Sequence, residues 1–491
     1  MPIMKGFHRV IWSSLAIAFA LTTSAASAEA PTVEPVPGQP NLLLGAFNIA
    51  SLGYSVEEFF ISGTAASFQV PAGSQVAAPT GTPAPYATRI AVLRPTDPAK
   101  FNGTVVVEWM NVTGGQDVPT EWVVAHREMV RGGYAYVGVS TQKVGVEGGP
   151  SLLGGAGGVP LKRANPARYG QLSHPGDAYS FDIFSQAGAV LREPNAAGVL
   201  GALAPLRIIA AGESQSARFL TTYVNWIDPL AKVYDGYLIH SRFGGAAPLD
   251  GAPMTPGQDT QPVTFPTKLR VPVLTVVTET DLLDGRTLGY QHARQPDTNH
   301  LRVWEIAGAA HADNYLFGVG FMDSGSARAV DLARGFAPSN SSPAGQFAKP
   351  ANTGQPHHYV IEAALWNLDH WLRTGTAPPH GQRLRMTRGE HPTYVLDRNG
   401  LVKGGARTPW VDVPTVRLRG EGNSGGTIAF LVGVGEPFDQ ATLARLYPGG
   451  KNQYMARFQA SLERAIRAGF ILPADRQEIL DVAAASYQGA Q

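Results

Sequence analysis

The sequence predicts an α/β fold in which a mostly parallel central sheet carries helices on both faces, and three observations lead there. Short β-branched runs recur along the chain and alternate with amphipathic stretches of helical length. One complete strand–helix–strand unit fits within residues 104–140, the length of a parallel βαβ crossover. A tight Gly-Glu-Ser-Gln-Ser turn, residues 212–216, joins an apolar run directly to a helical pattern.

The elements run in this order along the chain. Residues 29–45 are rich in Pro and read as an extended lead-in, and residues 46–100 as strands broken by Pro/Gly turns, one of them 87–93. Thr104 to Trp109 is a buried strand, 121–131 a helix stopped by Gly132-Gly133, and 134–140 a second strand. Helices are expected at 181–191, 215–226 and 362–373, and strands at 207–211, 233–240, 271–278 and 301–306. Irregular segments at about 142–178, 241–268 and 312–356 read as insertions in a core running from 46 to 380. Residues 381–491 read as a C-terminal extension packed on that core, with a helix near 452–468.

Composition excludes several classes of function. The formal net charge is +1, from 39 basic and 38 acidic residues, which gives no footprint for nucleic acid. There is no Cys, hence no disulfide, thiolate metal site or Cys nucleophile. Lys5, His8 and Arg9 precede an apolar run from Val10 to Leu21 and the small residues Ala26-Ser27-Ala28. That pattern predicts a signal peptide over 1–28, cleaved after Ala28, and export to the periplasm or medium. The run is too short to span about 30 Å of hydrocarbon, so no stable membrane insertion is expected.

The chemistry centres on Ser214. A strand-to-helix bend this tight strains its central residue and demands small neighbours two positions away, here Gly212 and Ser216. It lifts the Ser214 hydroxyl above the sheet edge and sets the Gln215 N–H at a helix start, where it can face a substrate oxygen. A serine hydroxyl needs a base. Downstream, the strand 271–278 ends in Glu279 and Asp281, and the strand 301–306 leads through Gly308-Ala-Ala310 to His311. Ser, acid, His is the chain order of α/β-hydrolases, which assigns His311 as base and Asp281 as its acid, with Glu279 as the alternative acid. A second donor for the developing oxyanion is expected from the backbone at Asn111 and Val112, in the glycine-containing loop after the 104–109 strand. Asp313 is close enough to tune His311 but reads rather as a turn cap, and Glu213 and Trp109 as residues that could face the pocket.

Beyond these pieces, the chain resembles a largely uncharacterised family of long, mostly exported bacterial α/β-hydrolase-domain proteins. The similar stretches are 107–112, 133–140, 169–180 with His174-Pro-Gly-Asp177, 212–216 and 404–414. The resemblance implies the α/β-hydrolase fold and a Ser/acid/His site on the residues named, with His174 and Asp177 either lining the pocket or fixing loops. It leaves the substrate open.

The expected activity is hydrolysis of a small-molecule or oligomeric carboxylic ester through an acyl-enzyme, without a cofactor. Acyl transfer or lactone opening by the same residues is the alternative within catalysis, and a non-catalytic binding protein on the hydrolase scaffold the alternative outside it. The glycine run 154–158 lacks the context of a nucleotide-binding loop. His357, His358, Asp369 and His370 lack a convergent third ligand, so no metal is expected. Trp122, Trp226 and Trp366 read as core. Oligomeric state is not legible.

Overall fold

The computed structural model describes residues 2, 30–151, 158–192, 198–254, 261–343 and 345–489. All but one residue of the expected signal peptide and most of the glycine run 154–158 lie outside the described residues.

A nine-stranded sheet organises the molecule. Its strands are β1 (Thr32–Pro35), β2 (Tyr54–Gln69), β3 (Ala78–Pro95), β4 (Thr104–Trp109), β5 (Ala135–Val139), β6 (Arg207–Glu213), β7 (Gly236–His240), β8 (Val273–Val277) and β9 (Leu301–Glu305). The spatial order is β1-β2-β3-β5-β4-β6-β7-β8-β9. The first three strands run antiparallel and β3 meets β5 antiparallel, whereas every pair from β5 to β9 is parallel.

The parallel strands are buried on both faces, and β4 shows how its sequence arranges this. Val105, Val107 and Trp109 join the apolar cluster under helices α1 (Ser180–Val190) and α2 (Gln215–Thr222). Val106 faces the opposite way, into the cluster under the helices Thr120–Arg131 and Gln355–Thr374. Alternation with a period of two therefore feeds two cores, and an all-apolar run results. Glu108 breaks that run for a reason. Its carboxylate accepts from the N–H groups of Glu121 (3.0 Å) and Trp122 (3.2 Å), and so caps a helix that has no other side-chain cap.

Several boundaries differ from the sequence reading. The lead-in contains β1, which hydrogen-bonds to β2 and forms the sheet edge. The expected helix 362–373 starts seven residues earlier, at Gln355, because Pro356 sits in its first turn, where its missing N–H costs nothing. The segment 312–356 is not wholly irregular: it holds helical turns at Tyr315–Val319 and Ala329–Gly335. Trp122 is fully buried, but Trp226 is only partly so and Trp366 is exposed, stacked on His370.

The C-terminal residues continue the sheet. Ala406 bridges Ile306 in parallel beyond β9, with its N–H on the Glu305 carbonyl at 2.7 Å. Trp410, Tyr454 and Phe458 enter the same apolar cluster as α1 and α2. On the other face Arg131 bonds Glu362 (3.1 Å) and Asp475. Among the described residues no helix is long and apolar enough to cross a membrane.

Candidate active site

The turn after β6 carries the strain its sequence implies. Ser214 has φ 60° and ψ −114°, a region that costs a non-glycine residue about 1–3 kcal/mol. The neighbours must be small: a Cβ at Gly212 would stand 3.0 Å from the Cβ of Ser216 and 3.0 Å from Leu220 Cδ1. The Ser214 N–H donates to the carbonyl of His240, at the end of β7, at 3.0 Å. Ser214 is half-buried at the foot of α2.

Two loops converge on it. His311 follows β9 through the turn at Gly308, whose φ of 72° admits glycine readily. Its Nε2 lies 2.7 Å from Ser214 Oγ, and its Nδ1 lies 2.6 Å from Asp281 Oδ1. The other Asp281 oxygen accepts from the Thr278 N–H (2.7 Å) and hydroxyl (2.8 Å), a capping box that fixes the carboxylate. The Phe243 ring stacks on the imidazole at 5.0 Å. His311 and Asp281 are buried. A carboxylate, an imidazole and a hydroxyl in this series can draw the serine proton toward Nε2.

Glu279, the alternative acid, is not brought to the imidazole. Its two oxygens accept the N–H groups of Gly308 (2.7 Å) and Gly420 (2.8 Å), and tie the His311 turn to the C-terminal extension. Burial pushes its carboxyl up to about 7.

The oxyanion expectation needs one correction. The Asn111 N–H donates to the Val118 carbonyl at 3.0 Å in a small hairpin, so it is no oxyanion donor. The Asn111 side chain instead holds the elbow, reaching the Glu213 carbonyl and carboxylate at 3.2 Å each. Val112 is different. Its N–H meets the Gln215 side-chain oxygen at 3.2 Å, so a carbonyl oxygen already occupies this donor beside the elbow.

The remaining pocket candidates divide. Glu213 belongs to the site, with Oε1 3.3 Å from His311 Nε2. Burial, and the nearby carboxyls of Glu121, Asp281 and Glu108, push its carboxyl well above the usual range. Trp109 does not belong: it is fully buried among Phe181, Phe184 and Phe219, with its N–H on Gln142. His174 and Asp177 fix loops. His174 Nε2 bonds the Thr141 carbonyl, and Asp177 accepts from Lys143 N–H and the Gln142 amide.

One group of residues escaped the sequence reading. Glu121 Oε1 lies 3.2 Å from His240 Nδ1, His240 Nε2 lies 2.7 Å from His357 Nε2, and His357 Nδ1 lies 2.8 Å from Asp313 Oδ2. All four side chains are buried. The available signal was a polar residue ending each apolar pattern, as His240 ends β7. His357 and His358 diverge, since His358 stacks on Tyr315 at 3.8 Å, and Asp369 turns to Thr104 and Arg207. Among the described residues no three His, Asp or Glu side chains are grouped to hold a metal ion.

The family model described as "Alpha/beta hydrolase domain" matches residues 22–481, nearly the whole chain. The chain belongs to that family. Its nine-stranded, mostly parallel sheet is accordingly an α/β-hydrolase sheet, with β1 at one edge. No curated protein matches the chain. Among solved structures, a protein from Klebsiella pneumoniae subsp. pneumoniae MGH 78578, assigned provisionally as a dienelactone hydrolase, aligns at 13% identity and TM-score 0.28, covering 54% of this chain and 92% of its own. A thermostable esterase from Pseudomonas putida ECU1011 aligns at 14% identity and TM-score 0.25, covering 48% and 66%. Esterase Est22 aligns at 15% identity and TM-score 0.24, covering 47% and 66%.

Proposed function

We propose that this α/β-hydrolase-domain protein is an exported serine hydrolase that cleaves carboxylic esters, with Ser214, His311 and Asp281 as its triad. The supporting observation is the unbroken series Asp281–His311–Ser214, at 2.6 and 2.7 Å, on a strained strand-to-helix turn. His311 takes the hydroxyl proton as Ser214 Oγ attacks the ester carbonyl. Asp281 keeps the ring in the tautomer that presents Nε2 as acceptor, and stabilises the imidazolium that forms. The N–H groups of Gln215 and Val112 receive the developing oxyanion, the Gln215 amide oxygen giving way to the substrate oxygen. His311 then protonates the departing alcohol, and water repeats the sequence to release the acid. Export rests on the sequence of residues 1–28, and the N-terminal mass of the secreted protein checks it: a mature chain beginning at Glu29 is expected.

A fluorophosphonate probe tests the nucleophile. Wild type should label, and Ser214→Ala and His311→Ala should not; labelling that persists in Ser214→Ala would refute the assignment. Hydrolysis of aryl acetates by the same three proteins tests the bond.

A further inference from the structure

The chain Glu121–His240–His357–Asp313 places four buried titratable groups in series, and the proposed reaction uses none of them. Each contact can hold one hydrogen, so the Glu121 carboxyl, the two imidazoles and the Asp313 carboxylate form one unbroken hydrogen-bonded series. Burial raises the Glu121 carboxyl to about 8.

Two members of the series connect to the reacting pair, His240 by a backbone hydrogen bond and Asp313 along the chain. His240 supplies the carbonyl that accepts the Ser214 N–H, so its ring position and the height of the elbow are set by the same residue. Asp313 lies two residues beyond His311. Its Oδ1 accepts from the Tyr315 (2.9 Å) and Leu316 (3.0 Å) N–H groups, and its Oδ2 lies 2.8 Å from His357 Nδ1, so it acts both as a turn cap and as the anchor of the base-bearing loop. Between them stands His357, in the first turn of the helix Gln355–Thr374.

Such a chain is an expensive way to hold apolar surfaces together, because well-packed hydrophobic residues of like volume often serve stability equally well or better. What hydrogen bonds in series add is direction and a fixed distance. We propose that His357 is a positioning residue for the Ser214–His311 pair, acting through His240 on the elbow and through Asp313 on the imidazole loop. The inference rests on the serine-hydrolase reading above.

The test compares full-length mature variants. His357→Phe breaks both links, His357→Asn keeps a donor toward Asp313 but loses His240, and His357→Gln keeps reach toward His240 but loses Asp313. His358→Phe is the control, a neighbouring buried histidine that stacks on Tyr315 and lies outside the chain. Aryl-ester kinetics are normalised to the fraction of enzyme that a fluorophosphonate finally labels, which removes unfolded protein from the comparison. A displacement of the order of 1 Å between nucleophile and base costs up to about a hundredfold. The expected result for His357→Phe is therefore a fall of about ten- to a hundredfold in kcat and in labelling rate, with KM little changed. The single-link variants should fall between, and they carry the test if His357→Phe does not fold. If every His357 variant that folds matches the control in kcat, losing only thermal stability, the chain is structural and the inference is overturned. Wild type that never labels removes the serine-hydrolase reading, and the inference with it. Labelled wild type beside unaffected His357 variants removes the inference alone.

Discussion

Two carboxyl–imidazole series lie side by side in this molecule, built from the same side chains to different ends. In one, Asp281 bonds His311, and His311 faces the hydroxyl of Ser214, a half-buried residue. In the other, Asp313 bonds His357, and His357 faces a second imidazole, His240, with the fully buried Glu121 behind it. Acid and ring are alike in the two, and the group on the far side of the ring differs. A hydroxyl on a half-buried residue can give up its proton and act as a nucleophile, whereas a buried imidazole nitrogen in a closed series holds its neighbour in place. On the proposed function, what would set the two series apart is the partner of the imidazole more than the acid–imidazole pair.

The sharpest way to break this comparison is to disable the acid of the open series. Asp281→Asn should lower kcat by about 10⁴-fold by favouring the wrong tautomer of His311. Glu279→Gln, two residues away, should leave kcat near wild type and lower Tm, since Glu279 holds the N–H groups of Gly308 and Gly420. Aryl-ester kinetics beside thermal melts read both, and equal losses of kcat would overturn the choice of acid.

A smaller effect sharpens the contrast between histidines that bond and one that only stacks. His358 has neither ring nitrogen hydrogen-bonded, and burial lowers its pKa to about 3. The folded protein thus keeps it neutral where the unfolded chain, near 6.5, would protonate it. Fewer protons bound in the folded state means that stability falls as pH drops from about 6.5 toward 3, at up to about 1.4 kcal/mol per pH unit for one such group. His358→Phe should flatten the decline of Tm over that window; an unchanged slope would place the acid sensitivity elsewhere. The smallest effect belongs to the surface. Arg328 pairs with Asp331 in full solvent, and Arg328→Ala should change Tm by no more than the scatter of replicate melts.

How far the site was legible depends on how local its determinants are. Gly212, Ser214 and Ser216 could be read because a tight bend imposes its residue types on consecutive positions, and His311 because a strand and a small-residue turn lead into it. The choice between Asp281 and Glu279 could not be read from their spacing alone. Both come after β8, and only the Thr278 capping box and the Gly420 N–H, from 141 residues away, turn one toward the ring and the other away. Asn111 was misassigned for the same reason: the Val118 carbonyl that takes its N–H belongs to a hairpin the sequence pattern did not reveal.

The sequence by itself determined the alternation of strands and helices, the two-sided burial of β4 and the strained turn at Ser214, because each arises from the steric demands of neighbouring residues. Tertiary structure alone decided which carboxyl meets which imidazole, that Glu213 lies beside Nε2, and that His240 finds His357. Those contacts join positions 30, 98 and 117 residues apart, where specificity comes from the packing of whole elements and no local pattern records the partner.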